Sequence, residues 1–283
     1  MPIFDVDRSL AIAFPQAPFW VKIGVFFIVW GVLWVPIAIP IARIVQWRWF
    51  SQLEVRQKLP LVASLYLIAP IVLWGISRLQ QTAFSSYGWV WNWHLLSLIS
   101  SGIGAGAIGL LILFGVQIAF GWLSLKLENW RGFFVAAVPT FALGLFIGGV
   151  EELVFRGFLF GQLSIEFDFW TAAIGSSGIF ALLHLIWDGK EGVSQLPGLW
   201  LMGVVLCLAF TVSDGNIGLA WGIHAGWVWM IASLDASEIL SYQASAPEWL
   251  VGLQQKPLAG LLGLLFLLGT GFGLIAAKSA GMV

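Results

Sequence analysis

Long apolar runs, separated by short polar stretches, make up most of the chain. A helix needs about 20 predominantly apolar residues to cross a bilayer, and eight runs are candidates for such spans. They cover residues 19–45, 59–76, 95–123, 133–163, 169–187, 199–212, 217–234 and 258–277. The pattern predicts an all-α polytopic membrane protein with about eight transmembrane helices, of which the sixth is short for a span.

No long polar segment divides these runs into separate domains. The longest polar connection covers residues 235–257 and has room for a short helix at the membrane surface. Asp5, Asp7 and Arg8 precede a first run that is too long for the apolar core of a signal peptide. We therefore expect residues 1–283 to form a single integral membrane domain without a cleaved signal.

Composition supports a membrane location and argues against other classes of protein. Hydrophobic residues make up 60% of the chain and charged residues 10%, against about 45–50% and 25% in soluble globular proteins. The 13 lysines and arginines balance 14 acidic residues, whereas a nucleic-acid-binding protein needs a basic face. The expected partner is thus the lipid bilayer and no nucleic acid. Cys207 is the single cysteine, which excludes a disulfide framework and a cysteine-based zinc site.

The basic residues also predict which span ends share a side of the membrane. With eight spans, one side holds Arg43, Arg48, Arg56, Lys58, Lys126, Arg131, Lys190 and Lys256. The other side holds Arg8, Lys22, Arg78, Arg156 and Lys278. Short loops rich in lysine and arginine stay in the cytoplasm. The loop between the first two spans is therefore expected there, with both termini outside.

Closely spaced glycines predict where helices approach one another. The third run contains Gly102, Gly104, Gly106 and Gly109, and the pair 148–149 lies in the fourth run. Small residues in membrane helices allow neighbouring backbones to come close. We therefore expect helix packing at these positions, and for the pair 148–149 we keep close approach of a substrate as an alternative.

Three charged residues interrupt the fourth run, in the sequence GGVEELVFRGF. An ionisable side chain at membrane depth costs at least a few kcal/mol and usually faces the bundle interior, where it has a function. Glu152 and Arg156 are four residues apart with the acid first, which is the favourable order for an ion pair on one helix face. Glu151 is rotated by about 100° from Glu152. It is expected to lack Arg156 as a partner and to be available for chemistry.

Two of the three histidines join this set of candidate residues. His94 follows Asn92 at the start of the third span, where a structural role at the membrane interface is expected. His184 ends the sequence FALLH, one helical turn after Phe180, and His224 lies near the middle of the seventh span. Each histidine alone is most simply a buried hydrogen-bonding group. Together with an unpaired carboxylate, two imidazoles are the residue types that activate water, which predicts a polar functional site.

These motifs resemble those of the CPBP family, the intramembrane proteases of the CAAX-processing and bacteriocin-processing (Abi) type. The first family motif, Glu-Glu-x-x-x-Arg, is met by residues 151–156 and is followed by Gly157. The second, Phe-x-x-x-His, is met by residues 180–184. The third, His-x-x-x-Asn or a hydrophobic residue at the last position, is met by residues 224–228. The resemblance places a catalytic core at about residues 133–234.

The resemblance implies a role for each matching residue. Glu151 would be the general base that activates the attacking water, assisted by His184, and His224 would stabilise the oxyanion. The residues expected to support the site are Glu152, Arg156 and Phe180.

The last position of the third motif lacks the asparagine that would be a second oxyanion donor. Val228 stands where an asparagine would help His224, and its side chain cannot donate a hydrogen bond. Loss of one such donor can lower the rate by about 10²–10³. Ser213 and Asn216 lie nearby in the sequence and are candidates for a substitute donor.

Two chemical variants remain open at this point. Glu151, His184 and His224 could bind a divalent metal such as Zn²⁺ and leave a water position free, but the general base is then unassigned unless Glu152 serves. Alternatively no metal takes part, and Glu151 with His184 activates water directly. We favour the variant without a metal cofactor, although the family is often labelled metalloprotease.

The sequence thus predicts an intramembrane endopeptidase that cuts membrane proteins or lipidated peptides. Val228 motivates an alternative from another class, a non-enzymatic membrane scaffold or assembly factor that keeps the polar site. A transporter or proton relay is a third possibility, against which the lack of a visibly duplicated half-sequence counts.

Overall fold

The computed structural model describes residues 12–48 and 53–281. Within them, eight helices have 17 residues or more: α1 (Phe19–Ile44), α2 (Val55–Leu79), α3 (Trp93–Ala119), α4 (Trp130–Glu152), α5 (Phe169–Asp188), α6 (Leu196–Val212), α7 (Gly218–Ser237) and α8 (Leu261–Ser279). Helix α4 continues directly into a π-helical stretch, Leu153–Phe160, and then into Gly161–Leu163. The sequence positions 5, 7 and 8, used above for the signal and sidedness predictions, lie outside the described residues.

Short elements connect the long helices. Two strands, β1 (Leu123–Leu125) and β2 (Leu240–Tyr242), pair antiparallel with Ser124 opposite Ser241 and join the ends of α3 and α7. A short α-helix covers Glu248–Val251, within the long connection before α8. The 3₁₀ turns are Phe14–Gln16, Phe84–Tyr87, Leu127–Asn129, Gly189–Gln195, Leu253–Gln255 and Pro257–Ala259.

The all-α polytopic fold is confirmed, and the count of eight spans is approximate. Six helical stretches in the described ranges are long and apolar enough to cross a membrane: Phe19–Ile44, Arg56–Leu79, Trp93–Ala119, Leu127–Leu163, Phe169–Val212 and Leu261–Ser279. The fifth stretch contains both α5 and α6, and α7 is not among the six. Helix α7 is buried along most of its length by neighbouring helices, so its residues need less hydrophobicity than those of a helix in contact with lipid.

The outer surface of the bundle is apolar. Large exposed side chains include Ile28 and Val32 on α1, Val135 and Val138 on α4, and Phe272 on α8. Many exposed tryptophans lie at the ends of helices or beside them, where amphipathic rings meet both lipid and water; these include Trp20, Trp91, Trp93, Trp130, Trp170 and Trp249. The protein is a multi-pass integral membrane protein.

Ion pairs at the helix ends agree with the predicted grouping of basic residues. Lys58 pairs with Asp188 at the end of α5, and Lys256 donates to a carbonyl of the turn that follows α5. Lys278 pairs with Asp214 at 2.9 Å, at the opposite end of α6. Lys58 and Lys256 therefore lie at one end of the bundle and Lys278 at the other.

Helix α7 packs tightly between α3 and α4 through glycines, as the spacing of small residues predicts. A methyl group on Gly102 or Gly106 would lie 2.7 Å from backbone atoms of Ile223, and one on Gly144 would lie 2.7 Å from the carbonyl of Ala225. The glycine pair 148–149 of α4 faces Trp221, which also lies on α7. Of the four glycines in α3, Gly109 packs on the ring of Phe266 in α8, and Gly104 has no neighbour within 4 Å of such a methyl group.

This packing predicts different effects for two alanine substitutions in one helix. Gly106→Ala should lower the thermal unfolding midpoint, because overpacking typically costs about 1–3 kcal/mol. Gly104→Ala places its methyl group in open space and should leave the midpoint unchanged or raise it, since alanine is favoured over glycine in helices by roughly 0.5–1 kcal/mol. Tryptophan fluorescence during heating of the detergent-solubilised protein measures both. Equal midpoints for the two variants would contradict the proximity of α3 and α7.

Candidate active site

The acidic pair lies at the point where α4 changes its helical geometry. Glu151 and Glu152 are the last two residues of the α-helical part, with exposed fractions of 4% and 0%. The following π-helical stretch, Leu153–Phe160, is buried throughout and contains Arg156. π-Helical turns are rare in proteins and occur frequently at functional sites.

Glu152 is bound by two partners through a single oxygen. Its Oε1 accepts a hydrogen bond from Nη1 of Arg156 at 2.8 Å, which is the ion pair expected from the spacing. The same Oε1 lies 2.7 Å from Nδ1 of His224 on α7. Since Glu152 is paired with the guanidinium, its carboxylate is an acceptor, and Nδ1 of His224 therefore carries the hydrogen.

Arg156 extends this contact to two more helices. Its Nη2 is 3.4 Å from the carbonyl oxygen of Gly203 on α6. Its guanidinium lies over the ring of Phe180 on α5, with 4.6 Å from Cζ to the ring centroid, a favourable cation–π distance. The side chain is 1% exposed, so these contacts take the place of water.

Glu151 has a different environment from its neighbour. The hydroxyl of Tyr66 on α2 donates a hydrogen bond to Oε1 of Glu151. The other oxygen, Oε2, has no hydrogen-bond partner and lies 3.6 Å from Nε2 of His224. As expected, Glu151 is not the ion-pair partner of Arg156, and it presents one oxygen that is free to accept a proton.

His184 is held at one nitrogen and free at the other. Its Nδ1 lies 2.8 Å from the carbonyl oxygen of Phe180, and because a carbonyl only accepts, Nδ1 carries the hydrogen. The neutral ring therefore has its lone pair on Nε2. His184 is partly exposed, and about 6 Å of helix rise separates it from the end of α5 at Asp188.

Phe180 connects the two histidines. Its ring centroid is 4.5 Å from that of His184 and 6.4 Å from that of His224, and the side chain is fully buried. The structure thus connects Arg156, Glu152, His224 and Glu151, in that order, through a series of direct contacts. It places His184 beside them across the phenylalanine ring.

The residues proposed as zinc ligands do not form a metal-binding group in this arrangement. Among residues 12–48 and 53–281, no group of three or more His, Cys, Asp or Glu side chains is placed to hold a metal ion. His184 directs one ring nitrogen at a carbonyl, and His224 directs one at Glu152. Both of these bonds use Nδ1, so Nε2 is the remaining nitrogen of each ring.

The two candidate substitute donors were predicted wrongly. The hydroxyl of Ser213 donates to the carbonyl of Ala209, and Oδ1 of Asn216 accepts from the amide of Gly218 at the start of α7. About 9 Å of helix rise separates Gly218 from His224, so both side chains lie in the connection between α6 and α7, at a distance from the site. Val228 lies one turn after His224 and is partly exposed, and His94 is exposed at the start of α3.

Sequence reasoning missed Tyr66 and the carbonyl of Gly203. Tyr66 stands in the apolar sequence SLYLIAP and is one of only three tyrosines in the chain. A phenolic hydroxyl among mostly apolar side chains at membrane depth was the signal that pointed to it. The carbonyl of Gly203 leaves no trace in the sequence, because every residue has one.

The helices and their buried charges define a polytopic membrane protein with an acid–imidazole site inside the bundle. Residues 133–230 match the family model described as type II CAAX prenyl endopeptidase, Rce1-like. The match covers roughly a third of the chain and contains Glu151, Glu152, Arg156, His184 and His224, whereas Tyr66 lies outside it. It confirms the resemblance predicted from the motifs. No curated protein and no solved structure matches the chain.

The buried ion pair predicts a large effect of removing one charge. Glu152→Ala should destabilise the fold by about 3–5 kcal/mol, because it leaves Arg156 buried without a carboxylate. The double variant Glu152→Leu with Arg156→Met removes both charges and should recover much of that loss. Thermal unfolding midpoints in detergent measure both, with Glu166→Ala in an exposed loop as the control. A Glu152→Ala protein that unfolds at the wild-type temperature would exclude this structural role.

Proposed function

We propose that the protein is an intramembrane endopeptidase that hydrolyses peptide bonds of membrane proteins or lipidated peptides, with Glu151 as the general base. The observation that carries the proposal is the free Oε2 of Glu151, buried and facing an imidazole nitrogen of His224 at 3.6 Å. The match of residues 133–230 with an endopeptidase family supports it.

Glu151 and His184 activate the attacking water. The water gives a proton to Oε2 of Glu151 while its oxygen bonds to the carbonyl carbon of the peptide. The electron pair of the C=O bond moves to the oxygen and forms the oxyanion. His184, with a lone pair at Nε2 in the neutral ring, accepts a hydrogen bond from the same water and orients it. General-base assistance of this kind contributes typically about 10²–10⁴ in rate.

His224 stabilises the oxyanion through Nε2. Its Nδ1 hydrogen points to Glu152, so a donor at Nε2 requires the cationic ring, in which both nitrogens carry hydrogen. When the tetrahedral intermediate collapses, the C–N bond breaks and the amine nitrogen takes the proton from Glu151. The products are a free amine and a carboxylic acid, which then loses its proton to solvent and becomes a carboxylate.

Glu152, Arg156 and Phe180 keep this arrangement in place. Glu152 and Arg156 fix the orientation of the His224 ring through the shared Oε1. Phe180 packs against the Arg156 guanidinium and against the rings of both histidines. This mechanism uses only side chains of the chain and needs no metal cofactor.

Removal of the proposed base is the direct test. Glu151→Gln keeps the size and shape of the side chain but removes the base, so we expect cleavage to fall by at least about 100-fold. Purified protein in liposomes is incubated with membrane peptides that carry, or lack, a C-terminal prenyl-cysteine, and products are measured by mass spectrometry. Glu166→Gln, the same change in an exposed loop, is the control.

Three results of this experiment would count against the proposal. Wild-type activity in Glu151→Gln would exclude the base, and stoichiometric zinc in the active wild-type protein would contradict the metal-free mechanism. A wild-type protein that cleaves none of the peptides, yet purifies with a stable membrane partner, would favour the scaffold function instead.

Val228 predicts a substitution that increases activity. Val228→Asn places an amide donor one helical turn after His224, and since such donors contribute about 10²–10³ in other enzymes, kcat should rise by at least about tenfold. Val228→Leu has a side chain that branches at the same atom as asparagine but carries no donor, and it should leave kcat at the wild-type value. If the two variants have the same kcat, position 228 does not face the oxyanion.

A further inference from the structure

Tyr66 is a polar residue of the site that comes from outside the segment matched by the family. It lies on α2, is 8% exposed, and has ring contacts with Trp30 and Phe146, each 6.4 Å between centroids. Its hydroxyl donates to Oε1 of Glu151, across 85 positions of sequence. Helix α2 therefore takes part in the site through one side chain.

The contact distinguishes the two oxygens of Glu151. Oε1 is occupied by the tyrosine hydroxyl, whereas Oε2 has no hydrogen-bond partner and faces His224. The terminal torsion of a glutamate side chain is broad and has no strongly preferred value. Without a donor at Oε1, the carboxylate plane would be free to turn and neither oxygen would be selected.

The position of Tyr66 is itself fixed by a contact between α1 and α2. The indole Nε1 of Trp30 on α1 donates to the carbonyl of Leu65, the residue before Tyr66, at 2.8 Å. One helical turn along, the indole of Trp34 donates to the hydroxyl of Ser64 at 3.0 Å. These two bonds fix the position of α2 along the axis of α1. They therefore also fix the position of the Tyr66 hydroxyl along that axis.

We propose that Tyr66 is a positioning residue, which holds Oε1 of Glu151 so that Oε2 faces His224 and the reacting water. The inference rests on the proposed function of Glu151 as the base. Tyr66 touches no reacting atom in this role; it acts through the carboxylate.

The chain offers a matched control in a second buried tyrosine. Tyr87 is 3% exposed, and its hydroxyl donates to Oε1 of Gln80 at 3.1 Å. Burial raises the pKa of Tyr87 to about 12, so it is a neutral donor under assay conditions. Tyr87→Phe removes one buried hydroxyl, as Tyr66→Phe does, but away from Glu151.

Kinetics of the two variants separate positioning from a structural role. In the liposome cleavage assay, Tyr66→Phe should lower kcat by about 10- to 100-fold, the equivalent of one hydrogen bond to a charged group, with little change in KM. Tyr87→Phe should leave both constants unchanged. In a Glu151→Gln background, Tyr66→Phe should add no further loss, because the group it positions is gone. Equal kcat values for Tyr66→Phe and wild type would overturn the proposal.

A second measurement needs no turnover. The infrared carboxylate band of Glu151, assigned by difference from Glu151→Gln, should shift in Tyr66→Phe and stay in place in Tyr87→Phe. An unshifted band overturns the proposal whether or not the protein cleaves a peptide. A shifted band with a wild-type protein that cuts nothing supports the contact and contradicts the proposed function, so the two failures are distinguishable.

Discussion

The shared oxygen of Glu152 is the contact on which the site depends. A buried carboxylate is tolerated only when it is paired and hydrogen-bonded, and here one oxygen accepts from both Arg156 and His224. Through Arg156 the contact reaches the carbonyl of Gly203 and the ring of Phe180. A single acid thus connects α4 with α5, α6 and α7, and a shift of any of these helices would expose a buried charge to an apolar environment.

The neighbouring acid is available for chemistry because Glu152 takes the structural contacts. Glu151 points to a different side of α4, where it meets Tyr66 and the second nitrogen of His224. His224 therefore lies between the two carboxylates, one ring nitrogen for each. The two glutamates are identical side chains at adjacent positions, but they point in different directions from the helix and therefore have different partners. The imidazole between them connects the carboxylate that is paired with Arg156 to the one that we propose as the base.

Local spacing in the sequence was enough to predict part of this arrangement. The Glu152–Arg156 pair, the shared face of Phe180 and His184, and the close packing at Gly102 and Gly106 all follow from helical periodicity. Contacts between distant segments could not be predicted from local spacing, since no periodic pattern relates Tyr66 to Glu151, which is 85 positions away. The expectation for Ser213 and Asn216 was wrong because proximity in sequence at a helix start does not place a side chain at the helix centre. How apolar a transmembrane helix must be also depends on how much of it the neighbouring helices cover. The hydropathy of α7 does not contain this information.

The composition of α7 has a consequence for how the protein is made. This helix contains His224 and falls outside the stretches that are apolar enough to cross a membrane unaided. The surfaces that cover it, α3 and α4, precede it in the chain and enter the bilayer earlier during synthesis. Insertion of α7 is therefore expected to depend on packing against α3 and α4, which cover it in the folded bundle. His224 thus lies on a helix that contacts other parts of the protein along most of its length.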